Sequence, residues 1–283
     1  MTTITLHNDA KVDSGAYDRI SRLMTKARPL AEQHSRLSLP DQVTARIVST
    51  EQLIDLMADH GECIVRLAAS SFPADSEERS QTMAFVPEAR EEYRKTTMDA
   101  WPTVHAAMVC RSVGDPEMII MPEAYAESRA TDRYLTGVLV HELTHIAQNK
   151  IWPGMPHVHL RWGLQDQASN LPPEQRRSPY HVIEGHAQWV QRQAMKELCG
   201  VATADVRIDG EPDHTDRFRE LRAGSSRPDI YDQGDAFISA LHDAGGYPVT
   251  ERLLRDENLL PTVSEITDPA AWLKRYAPAM NEA

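Results

Sequence analysis

The sequence predicts an α+β protein, with a small mixed sheet in its N-terminal half, a mainly helical C-terminal half and an active-site cleft between them. Two observations carry this. Short runs rich in β-branched and apolar residues, "VTARIVS" (43–49), "TVHAAMVCRS" (103–112) and "EMIIMPEA" (117–124), all precede residue 125. From Thr131 onward apolar residues recur at helical spacing and strand signals nearly vanish. The change of character divides the chain into an N-terminal α/β part, 1–130, and a helical part, 131–283, as two lobes of one unit.

Residues 1–15 are polar and glycine-containing, which predicts a loose tail. Ile20, Leu23 and Met24 sit at helical spacing within 16–37, a segment that Pro29 should break or kink. The strand at 43–49 leads into a capped helix, "TEQLIDLMADHG", ending near Gly61. A polar stretch through the 70s and 80s separates it from the two later strands, which meet at the turn signal Gly114–Pro116.

Thr131 and Asp132 offer N-cap chemistry for a helix reaching about Lys150. The proline-rich connection 151–178 reads as a long loop arching over a cleft. Ser178 and Pro179 then open a helix that closes at Gly200. Further helices are expected at about 213–223, 233–244, 248–256 and 268–276.

The net charge of -12, from 30 basic and 42 acidic residues, argues against nucleic-acid and anionic-membrane partners, because no Lys/Arg run offsets it. The N-terminus lacks an apolar run of signal-peptide length, and no stretch approaches the ~18 apolar residues of a membrane span. Cys63, Cys110 and Cys199 are widely spaced and odd in number. They are expected as buried small apolar groups in a reducing cytoplasm.

The chemistry concentrates in "VLVHELTHIAQNK", residues 138–150. On a helix His141 and His145, four apart, are rotated by only about 40° and rise about 6 Å, so both project from one face toward one ion. Glu142 is turned aside, near the ion without being a direct ligand. This is the H-E-x-x-H zinc motif, in which the glutamate serves as general base on water. A catalytic zinc site expects three protein ligands. The helix "HVIEGHAQW" supplies Glu184 as the third, with His181, on the same face, as the substitute ligand or an outer-shell group.

The pairing of "HELTH" with "EGHA" about forty residues later resembles the gluzincin clan of zincin metallopeptidases. The resemblance covers about 117–250 and implies a zincin-like fold, one zinc ion on His141, His145 and Glu184, and Glu142 as proton carrier. "YDQGDAFISALHDAGGYPV" (231–249) resembles, more loosely, the segment following the zinc helices in several such families, which implies Tyr231 as a hydroxyl donor to the oxyanion. Gln188 stands where the best-known members carry an acidic residue bracing a zinc histidine, and its amide carbonyl can accept an imidazole N–H. The resemblance further implies that "EMIIMPEA" is an edge strand pairing with an extended peptide or protein substrate.

His186, about 200° from Glu184 around the helix, is expected as a partnered structural residue, and His157 and His159 as surface residues of the connection. Trp189, Val190 and Ala194 should pack the back of their helix. Two other functions use the same residues: a non-haem iron enzyme on the two-His-one-carboxylate set, and a catalytically silent binding module. The retained Glu142 favours hydrolysis of peptide bonds; oligomeric state is not legible.

Overall fold

The computed structural model describes residues 2–110, 115–152, 155–200, 220–221 and 227–280. Thr3–Asn8 (β1), Gln42–Ile47 (β2), Ala106–Cys110 (β3) and Pro116–Ile120 (β4) form one mixed sheet in the order β1-β2-β4-β3. β1, β2 and β4 run parallel, and β3 is antiparallel to β4. The predicted tail is thus an edge strand, which the sequence hides because only Ile4 and Leu6 are apolar and both are half-buried. β4 lies inside the sheet, so the edge beside the C-terminal helices belongs to β3 and not to "EMIIMPEA", and the Met108 and Cys110 N–H groups on that edge are taken by Glu142 and His60.

Strand alternation gives the sheet two apolar faces. Val43, Ala45, Ile47, Met118 and Ile120 face Ser14–Ser35 (α1) and the C-terminal helices. Val109, Ile119 and Met121 face Leu53, Leu56 and Met57 of Thr50–Ser70 (α2).

α1 runs through Pro29, because burying Leu23, Met24, Ala27, Leu30 and Ala31 outweighs the ~3 kcal/mol that an interior proline costs. α2 opens with a capping box from Ser49 and Gln52 and does not stop at Gly61. That glycine is a packing contact: a Cβ there would lie 2.5 Å from the Tyr93 ring. The polar 70s and 80s fold as Glu77–Ala84 (α3) and Val86–Ala100 (α4). α4 is tied to α2 by Arg90 with Asp59 and Glu62, and by Arg94 with Asp55.

After Pro122–Ser128 (α5), the Thr131 side chain caps Asp132–Ile151 (α6) by accepting from the Tyr134 N–H. The expected long loop contains a helix, Met155–Ala168 (α7). His157 and His159 fall within it, outside the residues whose side chains are described. Pro179–Cys199 (α8) follows and ends on left-handed Gly200, at φ 71°.

Arg227–Gly245 (α9), Tyr247–Arg255 (α10), Val263–Thr267 (α11) and Pro269–Met280 (α12) complete the chain. α11 is additional to expectation, and the helix expected at 213–223 lies outside the described residues except 220–221. One continuous core joins both parts of the chain, from Ile20 through Leu143 to Trp272. α6 lies against α1, α8, β3 and β4, and α8 packs most extensively on α9. Among the described residues, no helix is long and apolar enough to cross a membrane.

Candidate metal centre

α6 buries Leu135, Leu139, Val140, Leu143, Ile146 and Ala147, which fixes its rotation and aims His141 and His145 at α8. α8 is held by Val182, Val190 and Ala194 in the same core, and Trp189 is buried with them as expected. Glu184 faces the two histidines.

The donor atoms form a small triangle. His141 Nε2 and His145 Nε2 are 3.0 Å apart, and Glu184 Oε2 lies 3.2 Å from the first and 3.4 Å from the second. A tetrahedral ion with donors at ~2.0–2.1 Å has donor–donor edges of about 3.3 Å, so these residues fit a divalent cation of zinc size. The side chains are 10%, 7% and 12% exposed, dry enough to strengthen electrostatics. His141, His145 and Glu184 could hold a metal ion.

The electrostatics agree. Burial alone would raise the Glu184 carboxyl, but the neighbouring His145 and His141 rings outweigh it and hold it well below the usual carboxylate range. Burial likewise opposes a charged His145, and Glu184 more than offsets this, carrying it to about 9. Burial pushes the Glu142 carboxyl above its usual range, against the pull of His141 and His145.

Glu142 interacts electrostatically with His141, His145 and Glu184, and its Oε2 accepts the Met108 N–H of β3 at 2.8 Å. Tyr231, on α9, brings its ring centroid to 6.0 Å from that of His141. The five site residues predicted from sequence therefore gather at the junction of α6, α8, α9 and β3.

The remaining candidates separate. His181 turns from the triangle to Ser178, whose Oγ is 2.5 Å from its Nδ1. It is not among the three residues that could hold the ion. His186 is fully buried and is partnered on one side only: Nδ1 lies 3.0 Å from Gln148 Nε2, while Nε2 has no hydrogen-bond partner among the described residues. Gln188 does not brace either histidine, because its position four beyond Glu184 does not meet an Nδ1; Gln148 meets the His145 Nδ1 at 2.8 Å instead.

Sequence reasoning missed Gln148 although its spacing, three after His145, places it on the same helix face. The Met108 N–H had no signal at all, since only the tertiary fold brings β3 to Glu142. Cys110 is buried, while Cys63 and Cys199 are partly exposed, against expectation.

No protein-family model and no curated protein matches the chain. Among solved structures it is similar to one from Chloroflexus aurantiacus described as "a putative hydrolase with a novel fold". The TM-score is 0.53 and the identity 16%, over 95% of this chain and 93% of that one. The likeness spans nearly the whole chain, and at this identity it is a likeness of fold.

Proposed function

We propose that this chain is a zinc-dependent metallopeptidase of the gluzincin type, with His141, His145 and Glu184 as ligands of one zinc ion and Glu142 as general base. The observation that carries it is the donor triangle with edges of 3.0 to 3.4 Å and, directly beside it, a desolvated carboxylate that is not a member. The ligand set carries the zincin reading, and the description of the Chloroflexus structure as a hydrolase accords with it.

A divalent cation so held would supply a Lewis acid that acidifies water and polarises a carbonyl. Glu142 then takes the proton of the attacking water and passes it to the departing amine. The Met108 N–H, 2.8 Å from Glu142 Oε2, keeps the other oxygen free to do so. Tyr231 offers its hydroxyl to the developing oxyanion, where one donor contributes about 3 kcal/mol. An extended peptide or protein substrate lies beside β3, which borders the site through the Met108 contact with Glu142.

The test is turnover of a mixed peptide library by wild-type and Glu142→Gln protein, with and without chelator. Cleavage should require metal and vanish in Glu142→Gln while that variant still binds one zinc. Near-normal turnover by the variant would refute the mechanism. Metal-replete protein that cuts nothing in a broad library is the result expected of a binding module, and iron as the native metal is that expected of the oxygenase chemistry.

A further inference from the structure

We propose that Gln148 is a positioning residue that holds the His145 ring with Nε2 toward the metal and ties α6 to α8 beside Glu184. The inference rests on the metal reading above, and its parts come from hydrogen-bond chemistry.

The Gln148 side chain is buried, at 2% residue exposure, and makes three contacts. Its Nε2 lies 3.0 Å from the Ile183 carbonyl and 3.0 Å from His186 Nδ1, and its Oε1 lies 2.8 Å from His145 Nδ1. A backbone carbonyl can only accept, so the end of the amide facing Ile183 is the NH2 group. The carbonyl end then faces His145, and it can only accept from an Nδ1 that carries hydrogen. His145 is left with Nε2 as its single site for a cation. That nitrogen is the one 3.0 Å from His141 Nε2 and 3.4 Å from Glu184 Oε2. Two independent arrangements, the amide contacts and the donor triangle, thus select the same ring orientation.

The second hydrogen of the amide meets His186 Nδ1, which therefore accepts and leaves its hydrogen on Nε2. His186 has no free lone pair to offer a metal, which accounts for a buried histidine two residues from Glu184 that is not a ligand. Ile183 immediately precedes Glu184, so the same amide also sets the distance between the ligand-bearing helices. His141 has no such brace: its Nδ1 is buried without a hydrogen-bond partner among the described residues. Orientation by an outer amide is concentrated on the second histidine.

The experiment compares wild type, Gln148→Met and Gln148→Glu as full chains. Zinc affinity is measured by chelator competition, and ring protonation by nitrogen–proton correlation spectra of the imidazoles. Gln148→Met, similar in length but without donor or acceptor, should weaken zinc binding on the order of 10- to 100-fold. Gln148→Glu restores the acceptor for His145 and should recover part of that loss. Wild-type His145 should carry hydrogen on Nδ1 in both metal-free and zinc-loaded protein, a reading that needs no variant to fold.

Zinc affinity within twofold of wild type in Gln148→Met, or a zinc-loaded His145 ligated through Nδ1, would overturn the brace and leave the metal site standing. Wild-type zinc affinity unaffected by His141→Ala and by Glu184→Ala would overturn the metal reading itself and the brace with it.

Discussion

Gly185→Ala tests whether the contact of α8 with α9 positions the site. A Cβ built on Gly185 would lie 2.2 Å from the Gly234 carbonyl carbon and 2.5 Å from its Cα and oxygen. These are backbone atoms that cannot rotate away. Restoring ordinary contact at 3.4 Å requires the helices to part by about 1.2 Å. Overpacking of this kind costs about 1–3 kcal/mol, which for a chain of this size lowers Tm by roughly 2–10 °C. Tyr231 sits three residues before Gly234 on α9, so the same movement carries its ring away from His141. The three residues that could hold a metal ion are on α6 and α8, which stay together. Zinc affinity should therefore hold within a few-fold while kcat falls about tenfold or more. Calorimetry, chelator competition and peptidase turnover measure the three quantities. Gly163→Ala on α7, whose Cβ would meet nothing within 4 Å, is the control and should stabilise by about 0.4–1 kcal/mol. Wild-type Tm and kcat in Gly185→Ala would refute the reasoning.

Loading the protein with zinc at about 100 times its Kd should add about 2.7 kcal/mol of stability, seen as a rise in Tm that His141→Ala abolishes. His60, buried on α2 with Nδ1 accepting the Cys110 N–H at 3.0 Å, is pushed down by burial from 6.5 to about 4. Its folded value lies below the unfolded one, so the stability it confers is present above pH 6.5 and is lost as pH falls through 4. The loss is on the order of 3 kcal/mol. Urea unfolding of His60→Gln, which keeps an acceptor for Cys110 but cannot titrate, should show a flatter curve over that interval. An unchanged slope counts against the assignment.

The donor triangle was legible because its signals are local. Spacing of four on one helix places His141 and His145 together whatever the rest of the chain does, and Thr131, Pro179 and Gly200 mark the ends of the helices concerned. The elements that escaped notice depend on partners. β1 carries two half-buried apolar residues and exists through pairing with β2. α3 and α4 are polar on most faces and are held by ion pairs and contacts to α2, which no periodicity announces. Proline is a weak guide to helix ends here, since Pro29 does not break α1 and α7 forms within the proline-rich connection 151–178. Gly61 and Gly185 illustrate a further ambiguity: a glycine in a helical pattern marks an end or a close neighbour, and here the neighbours are Tyr93 and Gly234.

A triangle of donors with edges near 3 Å is useful only if the helices bearing them cannot slide, and two contacts prevent this. At one end of the α6–α8 crossing, a Cβ on Gly137 would lie 3.1 Å from both Gln191 Nε2 and Met195 Sδ, so the helices approach as closely as side-chain packing permits. At the other end, the Gln148 amide bonds the Ile183 carbonyl. Gly137 comes early on α6 and meets residues late on α8, whereas Gln148 comes late and meets a residue near the α8 start. The two helices are therefore antiparallel at the crossing, and His141 and His145 lie between the clamps. One clamp is steric and the other a directed polar contact. The first limits how near the helices come and the second limits how far they part, which together define the separation that a cation of fixed radius requires.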